Sequence, residues 1–240
     1  MIVMKQKTVL RIAAIICGIS GIVILTGVIY PIVSYNSTYS KNYQQFVSPI
    51  SDNNPLGANT SNIQEITTGS GVKTNTTTDS TMASTWFVGG ATSNDFSASK
   101  VGYYTISIPK LKIDKATVAI GGEDLNKSLV QYPGTALPGK RGNSVIFGHS
   151  ILPIFYNPKN YISMFSMLPT LTKDDEILID YDGISYTYKV ESMFEVLPTD
   201  VQVLNQDSSD SFLTLVTCVP PGDPSNPKRL IVRARVVPPS

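Results

Sequence analysis

Two residue types that are rare in this chain could carry out nucleophilic chemistry. Among its 240 residues there is one histidine, His149, and there are two cysteines, Cys17 and Cys218. A thiolate is a strong nucleophile, and an imidazolium can stabilise it or protonate a leaving amine. Cys17 lies inside an apolar run that resembles a membrane span, so Cys218 and His149 form the candidate pair for covalent thiol catalysis.

Both candidates stand at the end of an apolar run that is typical of a buried strand. His149 follows residues 145–148, and Cys218 follows residues 212–217. A lone extracytoplasmic cysteine can be an inert packing residue, and a lone histidine is often structural, so composition leaves these alternatives open. Strand ends at the rim of a barrel are where sites are built, and this placement favours a functional pair.

A third group has to stabilise the charge that develops on an attacked carbonyl oxygen. Arg229 begins the apolar strand pattern that follows Cys218 and the loop 219–228, so an antiparallel pair would return it close to the thiol. The alternative is an ordinary surface charge. Arg233 and Arg235 alternate on the same side but lie farther along, and they are predicted to be solvated or to bind cell-wall material.

The charge balance excludes several classes of protein. Lys and Arg number 19 and Asp and Glu number 18, so the formal net charge is +1. A nucleic-acid binder needs a basic excess on one face, so no nucleic-acid partner is expected. Two cysteines and one histidine leave no room for a cysteine-rich zinc site or a disulfide framework, and no metal or cofactor is predicted.

The N-terminal part of the chain predicts a membrane anchor. Residues 12–33 form an uncharged apolar run long enough to span a bilayer as a helix. Lys5, Lys7 and Arg11 precede it, which predicts that residues 1–11 are cytoplasmic and that the rest of the chain is extracellular. A cleaved signal peptide is the alternative, but its apolar region would be shorter and an A-x-A-like site would follow it.

Residues 34–98 have a different composition, rich in Ser, Thr and Asn and without a period of 2 or 3.6. Apolar residues are too sparse to offset the entropy of ordering them, so a flexible extracellular stalk is predicted. As a coil it would span roughly 40–50 Å on average. Residues 86–88, Trp-Phe-Val, are its one apolar cluster, and they could dock on the folded domain or form a lid over a site.

Residues 99–240 are predicted to be the folded domain, which is mainly β. About eight short strands with few, short helices imply a closed or nearly closed barrel. Asp182 and Gly183 are a strong hairpin turn signal between two of these strands. Residues 124–129 are predicted to form one or two helical turns, and residues 161–168 have the spacing of a short helix. The predicted strands lie within residues 103–108, 118–120, 143–148, 176–181, 184–190, 212–216 and 229–232.

These residues resemble the sortase family, and the similarity runs from about residue 103 to residue 237. The strongest match is the order of His149, Cys218 and Arg229, each inside a family-like motif. The segments that carry it are Ile106-Ser107-Ile108-Pro109-Lys110-Leu111, Tyr132-Pro133-Gly134-Thr135-Ala136, Val145-Ile146-Phe147-Gly148-His149, Thr214-Leu215-Val216-Thr217-Cys218 and Arg229-Leu230-Ile231-Val232.

The resemblance implies an eight-stranded sortase barrel and a membrane-anchored cysteine transpeptidase. Such enzymes cut an LPXTG-like sorting signal between Thr and Gly, hold the acyl part as a thioester, and pass it to an amine such as a peptidoglycan precursor or a pilin lysine. Cys218 would be the nucleophile, His149 the general acid and base, and Arg229 the group that holds substrate and oxyanion. The implied substrate-binding residues are Ser150, Val216, Thr217 and Val219.

Departures from the family pattern leave the class open. Asn94-Asp95-Phe96 lacks the proline of the pilus-type lid, and Ser150 stands where many relatives have Arg. A class D-like, class E-like or otherwise divergent sortase is favoured, although the Cys218 region is similar to class C enzymes. Acidic residues near the calcium site of some class A enzymes are too loosely spaced and are predicted to be solvated; they are Glu191, Glu195, Asp200, Asp207 and Asp210.

Alternative functions remain at this point. Papain-like and NlpC-type peptidases place cysteine before histidine, and L,D-transpeptidases carry an S-H-G-C-like run, so neither pattern fits. A pilin polymerase of the same family, or an anchored barrel that only binds peptide, fits the chain organisation equally well. Intact Cys218, His149 and Arg229 favour an enzyme.

Overall fold

The computed structural model describes residues 2–35, 37, 44–45, 81–96, 102–223 and 228–238. The helices are α1 (Ile2–Ser34) and the four-residue α2 (Ser93–Phe96). The strands are β1 (Gln44–Gln45), β2 (Gly102–Ile108), β3 (Ile113–Ile120), β4 (Leu129–Gln131), β5 (Gly142–Phe147), β6 (Glu176–Tyr181), β7 (Ile184–Val196), β8 (Ser211–Val219) and β9 (Lys228–Val236). Short 3-10 helices lie at Ala83–Thr85, Pro109–Leu111, Pro153–Phe155, Leu168–Thr170 and Val201–Leu204.

The strands form one sheet that closes on itself. Its order is β1-β7-β6-β2-β3-β4-β5-β8-β9, and an additional pairing of β7 with β9 joins the ends, so that β2 to β9 make an eight-stranded barrel. The two-residue β1 lies outside the closed ring and runs parallel to β7. Most neighbours in the barrel are antiparallel, but β3 and β4 are parallel, as are β5 and β8. The predicted mainly β, eight-stranded barrel is confirmed.

The hairpin between β6 and β7 follows from its turn residues. Asp182 and Gly183 have φ of 52° and 75°, and Tyr181 pairs directly with Ile184. Positive φ at both central residues makes the turn twist with the strands, and Asp-Gly tolerates it. The turn predicted from the sequence is confirmed.

Strands β5 and β8 are buried on both faces, which explains their continuous apolar sequences. Ile146 and Leu215 point into the barrel interior. Phe147 and Val216 point outward into a second apolar cluster. This outer cluster exists because another segment of the chain covers the outside of the barrel there.

The covering segment is residues 81–96, which we call the strap. The N–H of Ala83 donates to the Glu123 carbonyl at 3.0 Å, and the N–H of Val88 donates to the Pro198 carbonyl at 2.9 Å. Trp86, Phe87 and Phe96 are buried in the outer cluster. Each large apolar side chain removed from water contributes about 1.5–3 kcal/mol, enough to hold a segment whose flanks are polar.

The sequence placed the strap in the flexible stalk, and the structure differs at this point because its aromatic side chains are buried against the barrel. Docking, one of two alternatives for residues 86–88, is what the structure has. Tyr35 is also buried against the barrel, and β1 pairs with β7. The other residues of the predicted stalk lie outside the described residues.

The N-terminal helix α1 contains one segment, Thr8–Gly27, that is long and apolar enough to cross a membrane. It has 20 residues with a mean hydropathy of 2.3, and none of it is buried within the protein. At a rise of 1.5 Å per residue it would match a hydrocarbon core about 30 Å thick. The direction in which the chain crosses stays a prediction.

Two local predictions were wrong. Residues 161–167 form successive turns rather than a helix, with Ser166 N–H donating to the Ser163 carbonyl at 2.9 Å. The segment turns tightly because Met164, Phe165 and Leu168 all have to reach the barrel core. The turn predicted up to residue 129 instead leads into the short strand β4.

Candidate active site

The strand register brings the three candidate residues to the same level of the barrel. Cys218 on β8 and Arg229 on β9 are direct cross-strand partners. The last paired residues of β5 and β8 are Phe147 and Val216, and two more residues along both strands are His149 and Cys218. Because paired positions of neighbouring strands face the same side of a sheet, Cys218 has His149 on one side and Arg229 on the other.

Three hydrogen bonds hold the end of β5 against the end of β8. The N–H of Gly148 donates to the Val216 carbonyl at 3.1 Å. The hydroxyl of Thr217 donates to the Gly148 carbonyl at 2.8 Å, and the hydroxyl of Ser150 donates to the Cys218 carbonyl at 2.5 Å. These bonds bracket His149 and Cys218, so the two strand ends keep their register to the point where the candidates stand.

Arg229 is buried and is held by partners on two sides. Its Nη1 donates to the Cys218 Sγ at 3.4 Å, and its Nε donates to the main-chain carbonyl of Trp86 at 3.2 Å. The guanidinium carbon lies 5.2 Å from the centroid of the Trp86 ring. Only 6% of the Arg229 surface is exposed, so these contacts replace water as the partners of the cation.

His149 is also buried, with 8% of its surface exposed. Its ring lies 5.9 Å from the Trp86 ring at an interplanar angle of 57°, and its carbonyl accepts the Phe165 N–H at 3.0 Å. Gly148 is required just before it, because a Cβ there would lie 2.5 Å from Phe165 Cδ2 and 2.6 Å from Leu129 Cδ2. The close approach of these side chains fixes the backbone that carries the imidazole.

Burial and charge act in opposite directions on the thiol. Burial raises the pKa of Cys218, and the Arg229 guanidinium works against that rise. Burial lowers the pKa of Arg229, and a Cys218 thiolate would oppose that fall. The protonated thiol is therefore the main resting form at neutral pH, and Arg229 is the cation that favours the reactive thiolate.

The residues predicted to bind substrate lie around Cys218, but most of their side chains face away from solvent. Val216, Thr217 and Val219 are fully buried, while Ser150 is partly exposed. Val216 packs in the outer cluster, Val219 in the barrel core, and Thr217 is used in the strand junction. Their role in binding substrate stays a prediction, and in this structure the three side chains are packed within the protein.

One of the acidic residues predicted to be solvated is buried. Glu195 is 7% exposed; its carboxylate accepts the Tyr35 hydroxyl at 2.7 Å and pairs with Lys228 Nζ at 3.0 Å. The prediction was wrong for this residue because strand β7 turns it toward β9 and the end of α1. Among the described residues, no group of three His, Cys, Asp or Glu side chains is arranged to hold a metal ion.

Arg233 and Arg235 lie away from the thiol on the outer face of β9. Arg233 pairs with Asp207 at 3.9 Å, and Arg235 pairs with Glu191 at 2.7 Å. Both guanidinium groups also lie over the Phe212 ring. They form a surface charge cluster distinct from the one buried arginine at Cys218.

Trp86 is the residue of this site that sequence analysis did not assign to it. It touches both candidate polar partners of the thiol and is 1% exposed. The available signal was an aromatic pair within a polar stretch of the chain, which indicated docking but not the surface on which it docks.

Comparison with known proteins agrees with this arrangement. The family model described as the sortase domain matches residues 106–237. Sortase A of Streptococcus agalactiae serotype III is 26% identical over 132 residues, which are 55% of this chain and 51% of that protein. The chain thus spans about half the length of this curated relative.

Solved structures include similar barrels. A lid mutant of sortase A from Corynebacterium diphtheriae is 30% identical, with a TM-score of 0.50, over 59% of this chain and 74% of that one. A sortase D5 transpeptidase from Clostridium perfringens is 27% identical, with a TM-score of 0.46, over 57% of this chain and 79% of that one. The domain match spans the barrel and contains His149, Cys218 and Arg229. The chain therefore belongs to the sortase family, whose members are transpeptidases of cell-wall protein anchoring and pilin polymerisation.

Proposed function

We propose that this protein is a cysteine transpeptidase that cleaves an LPXTG-like sorting signal and transfers the acyl part to an amine. The observation that carries the proposal is the position of Cys218, which lies between the strand end that bears His149 and the cross-strand partner Arg229. Covalent acyl transfer uses a nucleophile, a proton-transfer group and a group that stabilises the oxyanion, and Cys218, His149 and Arg229 have the chemistry for these three roles.

In the first half-reaction the Cys218 thiolate attacks the carbonyl carbon of the Thr–Gly bond. The carbonyl oxygen gains negative charge, and the Arg229 guanidinium, which donates to the Cys218 Sγ at 3.4 Å, is the cation placed to stabilise it. The C–N bond then breaks, and His149 in its protonated form gives a proton to the leaving amine. The product is a thioester on Cys218.

In the second half-reaction the acceptor amine attacks the thioester and loses a proton to His149. The C–S bond breaks, and the Cys218 thiolate leaves. An amide is exchanged for an amide, so the reaction needs no metal, cofactor or energy source. The proton that His149 takes up restores the form required for the next cycle.

The acceptor that we propose is an amine of the cell wall, such as a peptidoglycan precursor. A pilin lysine is the alternative acceptor within the same family, and a barrel that binds the sorting peptide without cutting it is the non-catalytic alternative. The positive charge of Lys5, Lys7 and Arg11 supports a cytoplasmic N-terminus, with α1 as the anchor and the barrel outside the cell.

The test is a transfer assay with the full chain in detergent. LPXTG-like peptides carrying a fluorophore and a quencher are incubated with glycine-based amines, a lysine peptide or no amine. Cleavage in the absence of amine, together with an amide-linked product when amine is added, is the expected result. Peptide binding without cleavage would favour the non-catalytic barrel. The acceptor that gives product distinguishes wall anchoring from pilin polymerisation.

A further inference from the structure

One side chain outside the barrel contacts both Arg229 and His149, the two residues proposed to act with Cys218. The Trp86 ring lies under the Arg229 guanidinium at 5.2 Å and beside the His149 imidazole at 5.9 Å. The Trp86 carbonyl accepts from Arg229 Nε at 3.2 Å. Its main chain and its ring therefore both constrain the arginine whose Nη1 reaches Cys218.

The position of Trp86 is itself well fixed. Its indole stacks on Phe147 of β5 at 5.3 Å with an interplanar angle of 16°. On its N-terminal side the strap is hydrogen-bonded to the barrel through Ala83, and on its C-terminal side through Val88. Phe96, ten residues on, packs edge-to-face on Tyr132. Trp86 thus lies between two hydrogen-bonded points of the strap, and its ring packs on β5, the strand that leads to His149.

The geometry of Arg229 shows why such a support matters. A guanidinium stands on a long, flexible side chain, so its position is fixed only where partners hold it. Burial also removes the hydration of the Arg229 cation, so partners in the protein have to replace water. A hydrogen bond at Nε fixes one edge of the planar group, and an aromatic face limits its movement to one side. With both in place, Nη1 remains directed at Sγ.

We propose that Trp86 is a positioning residue, which holds the Arg229 guanidinium against Cys218 and so sets the reactivity of the thiol. Trp86 is then part of the active machinery, and the rest of the strap anchors it to the barrel. The proposal deepens the proposed function, because it rests on the roles given to Cys218 and Arg229. It separates the role of Trp86 from that of Phe87, which is buried in the same cluster and packs on Phe147.

The experiment measures the alkylation rate of Cys218 by iodoacetamide in the full chain in detergent. A Cys17→Ala background leaves Cys218 as the one thiol of the chain. The variants are Trp86→Leu, Trp86→Phe, Arg229→Met and the double variant Trp86→Leu/Arg229→Met. Phe87→Leu is the matched control, because Phe87 is a buried neighbour in the strap that packs on Phe147 at 5.9 Å. Iodoacetamide needs no sorting peptide, so failure of the substrate assignment would not affect this result.

We expect the alkylation rate of Cys218 to fall roughly tenfold in Trp86→Leu at pH 7.5, which corresponds to a rise of about one unit in the pKa of the thiol. Phe87→Leu should stay within about twofold of the parent, and Trp86→Phe, which keeps a ring, should recover part of the rate. In the Arg229→Met background, Trp86→Leu should have little further effect, since coupled residues are not additive.

Several results would overturn the inference. Equal losses in Trp86→Leu and Phe87→Leu would mean that the strap only packs. An unchanged Trp86→Leu effect in the Arg229→Met background would mean that Trp86 does not act through the arginine. A faster rate in Trp86→Leu would make the strap a cover. No change in Arg229→Met alone would overturn the inference together with the role given to Arg229. If Trp86→Leu does not fold, the same comparisons apply to Trp86→Phe.

Discussion

At the scale of single residues, the site is a balance between burial and one cation. Cys218 is partly buried near the end of β8, and the Arg229 guanidinium donates a hydrogen bond to its sulfur. Burial raises the pKa of the thiol, and the guanidinium opposes the rise. The protonated thiol is therefore favoured at rest, while the Arg229 cation favours the ionised form.

This balance predicts a specific pH dependence. Thiol alkylation follows the thiolate fraction, so for the parent its rate should rise with pH to a midpoint above the ordinary thiol value of about 8.5. Arg229→Met removes the charge that lowers the pKa, so the midpoint should move further up and the rate at pH 8 should fall. Each pH unit of upward shift corresponds to a loss of about tenfold.

The control is Arg233→Met, which removes a cation from the same strand but one that pairs with Asp207 at the surface. Its alkylation profile should coincide with that of the parent. Coincident profiles for the parent and Arg229→Met would contradict the electrostatic role of Arg229. The measurement is the rate of iodoacetamide labelling between pH 6 and pH 10.

At the scale of elements, the site depends on how two parallel strands end side by side. The β5–β8 pairing continues past its last ladder position through Gly148, Thr217 and Ser150. The strand order places β9 on the other side of β8. One strand thus carries the proposed nucleophile, and the strands on either side of it lead to His149 and Arg229.

Gly148→Ala tests the strand junction. The new Cβ would meet the buried rings and methyl groups of Phe165 and Leu129 at 2.5 and 2.6 Å, so the backbone at His149 has to shift. We expect a loss of about 1–3 kcal/mol in the free energy of unfolding and a lower transpeptidation rate. Thermal denaturation and the peptide assay measure the two effects.

The matched control is Gly102→Ala on β2, where a Cβ would meet only Ile120 side-chain atoms, at 3.7 Å and beyond. This variant should stay close to the parent in both measurements. A Gly148→Ala protein with parental stability and activity would show that the strand junction tolerates movement at His149.

At the scale of the whole molecule, the residues just after α1 contact the barrel directly. Tyr35, just after α1, donates its hydroxyl to the buried Glu195 carboxylate at 2.7 Å. Glu195 in turn pairs with Lys228, the first residue of β9 and the neighbour of Arg229. A chain of polar contacts therefore leads from the end of α1 to the strand that carries the candidate arginine.

Tyr35→Phe tests this connection. It removes one donor from a buried carboxylate, which should cost about 1.5–3 kcal/mol of stability, as for other hydrogen bonds to charged groups. Tyr30→Phe is the control, since Tyr30 is 68% exposed. Thermal denaturation of the full chain in detergent should show a lower Tm for Tyr35→Phe only. Equal Tm values would mean that Tyr35 contributes no net stability at the barrel.

Features with a local cause could be predicted from the sequence, whereas features that depend on a partner distant in the chain could not. Cys218, His149 and Arg229 were predictable as neighbours because each stands at the end of a strand-like run, and strand ends collect at barrel rims. The Asp182-Gly183 turn was predictable because its cause is local. The burial of Glu195, the short β4 and the docking site of Trp86 were not, because each depends on a partner distant in the chain.

The most direct measurement of the central claim is intact mass spectrometry of the full chain in detergent after incubation with a panel of LPXTG-like peptides. We expect a mass gain equal to the acyl fragment ending at Thr, its removal by hydroxylamine, and its absence in Cys218→Ala. Cleavage of the same peptides by Cys218→Ala at the parent rate would contradict it, because the reaction would then proceed without a thioester on Cys218.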